Sequence, residues 1–242
     1  MEILIVILAS LSLPLMLAMI FVSVGVKTTF TKYNRVFASC GLSAKEVARK
    51  ILDANNLFNV QIAGCAGVLT DHYDPRNNTV YLSSATINST SVAAISVAAH
   101  EVGHAIQHAD EYAPIKFRSA LVPVVNFTSK LITPFLILGI ILEFFAMALP
   151  VNLSSICYLI ALICYAFYCI FTLATLPCEY NASRRAKDQL ADLNILANDE
   201  LPIASKVLGK AAQTYLLSFL YSLTQVARIL LMLLSSRRNN KR

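Results

Sequence analysis

Charge is scarce in this chain. Asp, Glu, Lys and Arg make up 14% of 242 residues, histidine occurs four times, and hydrophobic residues account for 57%. With a mean hydropathy of +0.62, this excludes an ordinary soluble domain, which would struggle to hide so much apolar chain. Six cysteines occur without paired C-x-x-C spacing, which argues against a zinc-thiolate site and for buried, reduced thiols. The net charge of +6 comes without an aromatic-interleaved basic patch, so no nucleic-acid partner is expected. Internal repeats and low-complexity linkers are absent as well. Finally, no basic residue precedes the first apolar run, so that run reads as a retained anchor rather than a cleaved secretory signal.

What the chain does have is length in its apolar runs. "ILIVILASLSLPLMLAMIFVSVGV" begins at Ile3 and carries no charge. It exceeds the roughly 20 residues that cross a hydrocarbon core of about 30 Å. "LITPFLILGIILEFFAMAL" and "LSSICYLIALICYAFYCIFTLATL" follow one another with only Pro150, Val151 and Asn152 between them, which predicts a transmembrane hairpin with a tight turn. "AAQTYLLSFLYSLTQVARILLMLL" is long enough to span but contains Gln225 and Arg228, so a span, a re-entrant helix and an interfacial helix all stay open. Glu143 and Arg228 would each lie about 9 Å from the outer helix ends by helical rise. Intramembrane charges are usually paired, so the two are expected to meet.

Basic residues decide the orientation. Lys27, Lys32 and Arg35 follow the first run, Lys116, Arg118 and Lys130 precede the second, and Arg184, Arg185 and Lys187 follow the third. The hairpin turn has none. Lys and Arg near span ends mark the cytoplasmic side, so the polar part is expected there and the N-terminus outside. The resulting organisation is an anchor over residues 1–26, a catalytic domain over 27–130, a hairpin over 131–176, a helical segment over 177–210, a last hydrophobic helix over 211–234 and a basic tail over 235–242. The fold class is a mainly α membrane protein with three or four transmembrane helices and a small β element in a cytoplasmic domain.

In the polar part, "SAKEVARKILDANNL" offers Ser43 as a cap with Glu46 three residues on, the capping-box spacing, and sets Val47, Ile51 and Leu52 on one face. "NVQIAGCAGVL" and "NTVYLSS" read as a strand pair, and the intervening "TDHYDPRNN" as a turn. "NSTSVAAISVAAHEVGHAIQHADEYAP" starts with cap residues and continues Ala-rich up to Pro114, which predicts a helix from about Ser91 to Ala109.

That helix carries three of the four histidines. Residues four apart share a helical face, so His100 and His104 present two imidazoles to one point while Glu101 projects beside it. This is the H-E-x-x-H arrangement of zinc hydrolases. Its neighbours Ala98, Ala99, Val102, Gly103, Ala105 and Ile106 are small or apolar. Burying two histidines and a glutamate among them without a partner would cost several kcal/mol, on the order of the transfer penalties for polar groups, and a metal supplies that partner. His108 continues the series, but eight residues of helical rise place its Cα about 12 Å from that of His100, too far for a shared ion with bonds of roughly 2 Å. A rim or substrate-facing role suits it better; His72 is a weaker candidate ligand. A third ligand must come from elsewhere on the same membrane side, and Glu179 in "LPCEYNASRRAKDQLADL" stands where the hairpin ends.

"LTDHYDPRNNTVYLS", "AAHEVGHAIQHA", "APIKFRSALVPV" and "LPCEYNASRRA", in this order, resemble the YugP-like neutral zinc metallopeptidases of bacteria. More distantly, "HEVGH" followed after a hairpin by "EYNASRRA" is similar to the membrane metallopeptidases of the HtpX and CAAX-prenyl-protease type. The resemblance implies a zincin-like active helix and Glu179 as third ligand, with Ala182 and Arg184 matching a Glu-x-x-Ala-Asp-Arg motif. Ser183 stands where those relatives carry an aspartate that supports the site; Asn181 or Asp188 are substitutes for it. The resemblance also makes "NNTVYLS" an edge strand that aligns peptide substrates.

The expected activity is that of a zinc metalloendopeptidase. One Zn2+ is held by His100, His104 and Glu179, and Glu101 is the general base toward a metal-activated water. His108, Arg184, Ser183 and Asn181 are candidate supporting or substrate-contacting residues, and Tyr112, Tyr180, His108 and Arg184 are candidates for stabilising the oxyanion. The expected partners are the lipid bilayer and protein or peptide substrates, membrane proteins among them. The alternative is a catalytically inactive zinc-binding membrane scaffold, for which Ser183 is the best support.

Overall fold

The computed structural model describes residues 2–145 and 153–239; the turn expected at Pro150–Asn152 lies outside them. Six helices and three strands follow in chain order among the described residues: α1 (Glu2–Tyr33), α2 (Ala44–Ala54), β1 (Gln61–Cys65), β2 (His72–Asp74), β3 (Thr79–Ser83), α3 (Val92–Ala109), α4 (Ala113–Phe144), α5 (Leu153–Asp192) and α6 (Leu201–Asn239). The chain is thus a mainly α protein. Helices α1, α4, α5 and α6 are each long and apolar enough to cross a membrane. The last hydrophobic segment is continuous helix up to Asn239.

Contacts divide the chain into two units, one comprising Met1–Ile20, Phe117–Thr175 and Tyr215–Arg242, the other Phe21–Lys116 and Leu176–Thr214. In the first, the apolar side chains turn outward: Phe21 aside, Ile3, Ile137, Ile140, Ile163, Leu223 and Leu230 are among many exposed large hydrophobics. Water would penalise such a surface; hydrocarbon does not. The inward positions carry a small apolar cluster of Tyr158, Ala161 and Ile229 and a few polar pairs. Tyr158 donates to Glu143 Oε2 at 2.6 Å, Thr172 and Ser222 hydroxyls meet at 3.2 Å, and Gln225 Nε2 donates to Ser12 Oγ at 3.0 Å. Glu143 therefore takes its hydrogen bond from Tyr158 rather than from Arg228. The two charged groups form no direct ion pair among the described residues.

The second unit is built like a water-soluble domain. Ser43 caps α2 with the full capping box: its hydroxyl accepts from Glu46 N–H while the Glu46 carboxylate accepts from Ser43 N–H. Val47, Ala48, Ile51 and Leu52 of α2 pack with Ile95, Ala98, Ala99 and Val102 of α3, with Val80 and Leu82 of β3, and with Ala186 and Leu190 of α5 in one core. Burial of each Val, Ile or Leu here contributes about 1.5–3 kcal/mol. Helix α3 starts where its cap residues predict: the Ser91 hydroxyl accepts from Ala94 N–H and donates to Asn34 Oδ1 at 2.6 Å.

The β element differs from the expected strand pair. β1 and β3 run parallel, and "HYD" within the presumed turn forms β2, antiparallel to β3. The order is β1-β3-β2, so "TVYLS" is the central strand and not the edge strand that the resemblance implied. The turn residues did act as turn residues, but over a shorter stretch. Asp74 accepts from the Arg76 N–H at 3.0 Å, Tyr73 donates to Asn78 Oδ1 at 2.8 Å, and Asn78 takes a left-handed φ of 53°. The hairpin closes tightly enough for three residues before Pro75 to pair with β3.

Candidate metal centre

Fourteen of the positions along α3 are buried, and Gly103, His104 and Gln107 among them face α5. At Gly103 the approach is closest: a Cβ there would stand 2.7 Å from the Ala182 carbonyl oxygen. Ala182 itself is fully buried. This glycine–alanine contact lets the backbone of α5 lie against the turn of α3 between the two histidines.

The consequence is a compact polar cluster. His100, His104 and Glu179 offer ligand atoms that all lie within 4.8 Å of one another. Glu179 Oε2 is 3.2 Å from His100 Nε2 and 3.7 Å from His104 Nε2. The rings stand nearly perpendicular at 80°, with centroids 4.8 Å apart. Two donors on a tetrahedral ion with bonds of about 2.0 Å stand about 3.3 Å apart. Both nitrogens that approach Glu179 are Nε2, and two imidazoles with one carboxylate is the donor set of an open zinc site. The residues present fit zinc. Burial alone would push Glu179 up, but the two imidazoles beside it, His100 and His104, outweigh it and hold its carboxyl well below the usual carboxylate range.

Glu101 is buried beside the histidines. Burial pushes its carboxyl above the usual range; the histidines pull it back, and the charges of Glu179 and Asp71 add to the rise. Asp71 is anchored by accepting from the Ser83 N–H at 2.7 Å.

The supporting candidates separate into near and far. The Ser183 hydroxyl lies 3.2 Å from His100 Nδ1, so the residue that departs from the aspartate pattern touches the histidine through its outer nitrogen. Asn181 Oδ1 accepts from Arg185 Nε at 2.8 Å and from Gln107 Nε2 at 2.9 Å. Arg184 and Asp188 are exposed. His108 is exposed too, with its ring edge-on to Tyr73 at 6.1 Å, and is no member of the cluster. His72 lies on β2, stacked on Tyr81. Tyr180 is about half exposed, at 52%. Gln107 escaped the sequence reading: it is fully buried, and its Oε1 lies 3.0 Å from His104 Nδ1. Its spacing of three from His104 was the available signal.

Comparison with known proteins agrees with this chemistry. The family described as "Putative neutral zinc metallopeptidase" matches residues 8–234. The "Putative membrane protease YugP" of Bacillus subtilis (strain 168) is 41% identical over 216 residues, which cover 89% of this chain and 91% of the relative. No solved structure matches. A match that runs through the first apolar helix, the histidine helix and the hairpin to the last apolar helix leaves one assignment: the chain belongs to this neutral zinc metallopeptidase family of membrane proteases.

Proposed function

We propose that this chain is a membrane-embedded zinc endopeptidase in which His100, His104 and Glu179 hold one Zn2+ and Glu101 is the general base. The observation that carries the reading is the convergence of the two imidazoles and one carboxylate within 4.8 Å, with a second carboxylate one residue from His100 on the same helix. Bound zinc supplies a Lewis acid that acidifies water and polarises a carbonyl. Glu101 takes a proton from the attacking water as its oxygen bonds to the scissile carbonyl carbon. It returns that proton to the amide nitrogen as the C–N bond breaks. Burial of Glu101 keeps it a stronger base than an exposed carboxylate. Ser183 orients the His100 imidazole through Nδ1. Substrates are peptides and proteins, including membrane proteins whose cleavage sites reach the interface.

The site faces the cytoplasm in this reading, with the anchor, the catalytic domain, the hairpin and the last helix divided as the apolar runs divide them. Four spans with the N-terminus outside put the basic "RRNNKR" tail outside as well, against the positive-inside tendency. Labelling a cysteine placed at the C-terminus tests this: protection from an impermeant reagent in intact cells sinks the four-span arrangement.

The activity test compares wild type, Glu101→Gln and His104→Ala for zinc content and for cleavage of an unstructured protein such as casein. Glu101→Gln is expected to keep zinc and to lose about 10²- to 10⁴-fold in rate, the range for general acid–base groups; His104→Ala is expected to lose zinc. Loss of metal in Glu101→Gln would reverse the assigned roles. A zinc-loaded wild type without cleavage would favour the inactive zinc-binding scaffold.

A further inference from the structure

Gln107 is the buried polar side chain that the proposed chemistry leaves without a task, and its surroundings are unusually directional. Its side-chain nitrogen lies 2.7 Å from the Cys178 main-chain oxygen and 2.9 Å from Asn181 Oδ1. A carbonyl oxygen only accepts, so the Gln107 atom that faces Cys178 must be the NH2 group. Asn181 is oriented just as firmly. The same Oδ1 receives Arg185 Nε–H, and a guanidinium only donates. Arg185 in turn is held by Asp110, the C-cap of α3, at 2.6 Å. With both amide hydrogens of Gln107 committed, its Oε1 is left to face His104 Nδ1 at 3.0 Å. An oxygen without a hydrogen there requires Nδ1 of His104 to carry the proton. In the neutral ring the lone pair then sits on Nε2, the nitrogen turned toward Glu179 Oε2.

From this chain of fixed donors and acceptors we infer that Gln107 is a positioning residue that locks His104 in its Nδ1–H tautomer, so that Nε2 is ready for a metal before any metal arrives. The inference rests on the reading of His104 as a ligand. Its logic is that of the outer partner of a metal-bound imidazole, with one distinction: the partner is a neutral amide whose polarity is dictated from α5, the helix that also supplies Glu179. One amide thereby ties the tautomer of a ligand on α3 to the docking of the helix that carries the third ligand. An aspartate or glutamate at this position would accept from His104 equally well but would turn an acceptor toward Cys178 and Asn181.

The test uses the full-length protein in detergent, stripped of metal, with 15N-labelled histidine. His104→Ala identifies the His104 signals and, in a zinc titration against a chromophoric chelator, reports whether His104 binds metal at all. Wild type is expected to show His104 with a pyrrole-type Nδ1 and a pyridine-type Nε2. Gln107→Leu, similar in volume, is expected to give mixed tautomers and a zinc affinity lower by roughly 10- to 100-fold. Asn181→Ala, which frees one Gln107 hydrogen and leaves the other on Cys178, is expected to fall between the two and serves if Gln107→Leu does not fold. An Nε2–H tautomer in metal-free wild type overturns the inference. So does a zinc affinity within about twofold of wild type in the folded variant, short of the usual outer-partner effect. If His104→Ala keeps full zinc affinity, the ligand reading itself fails. If His104→Ala loses zinc while Gln107→Leu does not, only the role of Gln107 falls.

Discussion

The two units of this molecule solve the burial of polar groups in opposite settings. In the unit that contains α2, α3 and the sheet, apolar side chains fill the interior, and polar groups near the site are joined in a series of fixed direction from Asp110 through Arg185, Asn181 and Gln107 to His104. In the unit of long apolar helices the large hydrophobics face outward, and inward polar groups meet across helices, Thr172 with Ser222 and Tyr158 with Glu143. A hydroxyl in hydrocarbon needs one partner and any partner serves. A metal site needs a particular atom at a particular place. Helix–helix adhesion tolerates freedom that ligand geometry does not, and the connected network is found where geometry matters.

The comparison can be broken most sharply at two glycines. Gly103→Ala sets a Cβ 2.7 Å from the Ala182 carbonyl oxygen, an atom of helix backbone that cannot swing aside; Gly139→Ala sets one 2.7 Å from Cε1 of Tyr158, a buried ring hydrogen-bonded to Glu143 in the unit that carries no metal ligand. Gly103→Ala is expected to cost about 1–3 kcal/mol, as overpacking does, and to weaken zinc binding because α5 carries Glu179. Gly139→Ala is expected to cost a similar amount and to leave zinc binding unchanged. Thermal unfolding with zinc titration of both variants measures the contrast, and equal losses of zinc affinity would remove it.

A second measurement sharpens the electrostatic side. Glu101 has its pKa raised by burial, so its ionised form opposes folding of the metal-free protein above that pKa, and the penalty fades as pH falls toward the unfolded value. Glu101→Gln is therefore expected to raise the Tm of metal-free protein at pH 7 and to lose this advantage in acid. The smallest effect is expected at Ser43→Ala, which removes the α2 capping box far from the site. It should cost about 1 kcal/mol, seen in Tm with zinc affinity unaltered.

Legibility in the sequence followed the range of the interactions involved. The Ser91 and Ser43 caps, the face shared by His100 and His104, and the exclusion of His108 all depend on residues within a few positions, and helical geometry alone fixes them. The first three long apolar helices were readable because hydrocarbon demands an uninterrupted run; the fourth, interrupted by Gln225 and Arg228, left its relation to the bilayer open. Strand β2 was not: "HYD" sits among turn formers, and its conformation comes from pairing with β3 rather than from its own preferences. Gln107 was legible as a neighbour of His104 on the helix, but not as a partner, because its two acceptors lie on α5.

By itself the sequence determined which donor types exist, that two imidazoles and Glu101 lie within about one turn of a single helix, and that the chain is made for a bilayer. These are properties of composition and of a period of 3.6 residues. The tertiary structure decided that Glu179 Oε2 stands beside both Nε2 atoms, that Ser183 occupies the outer nitrogen of His100, and that β3 is flanked on both sides. Those outcomes depend on how closely α5 approaches α3, and that distance is set by a missing Cβ at Gly103 meeting a carbonyl far along the chain.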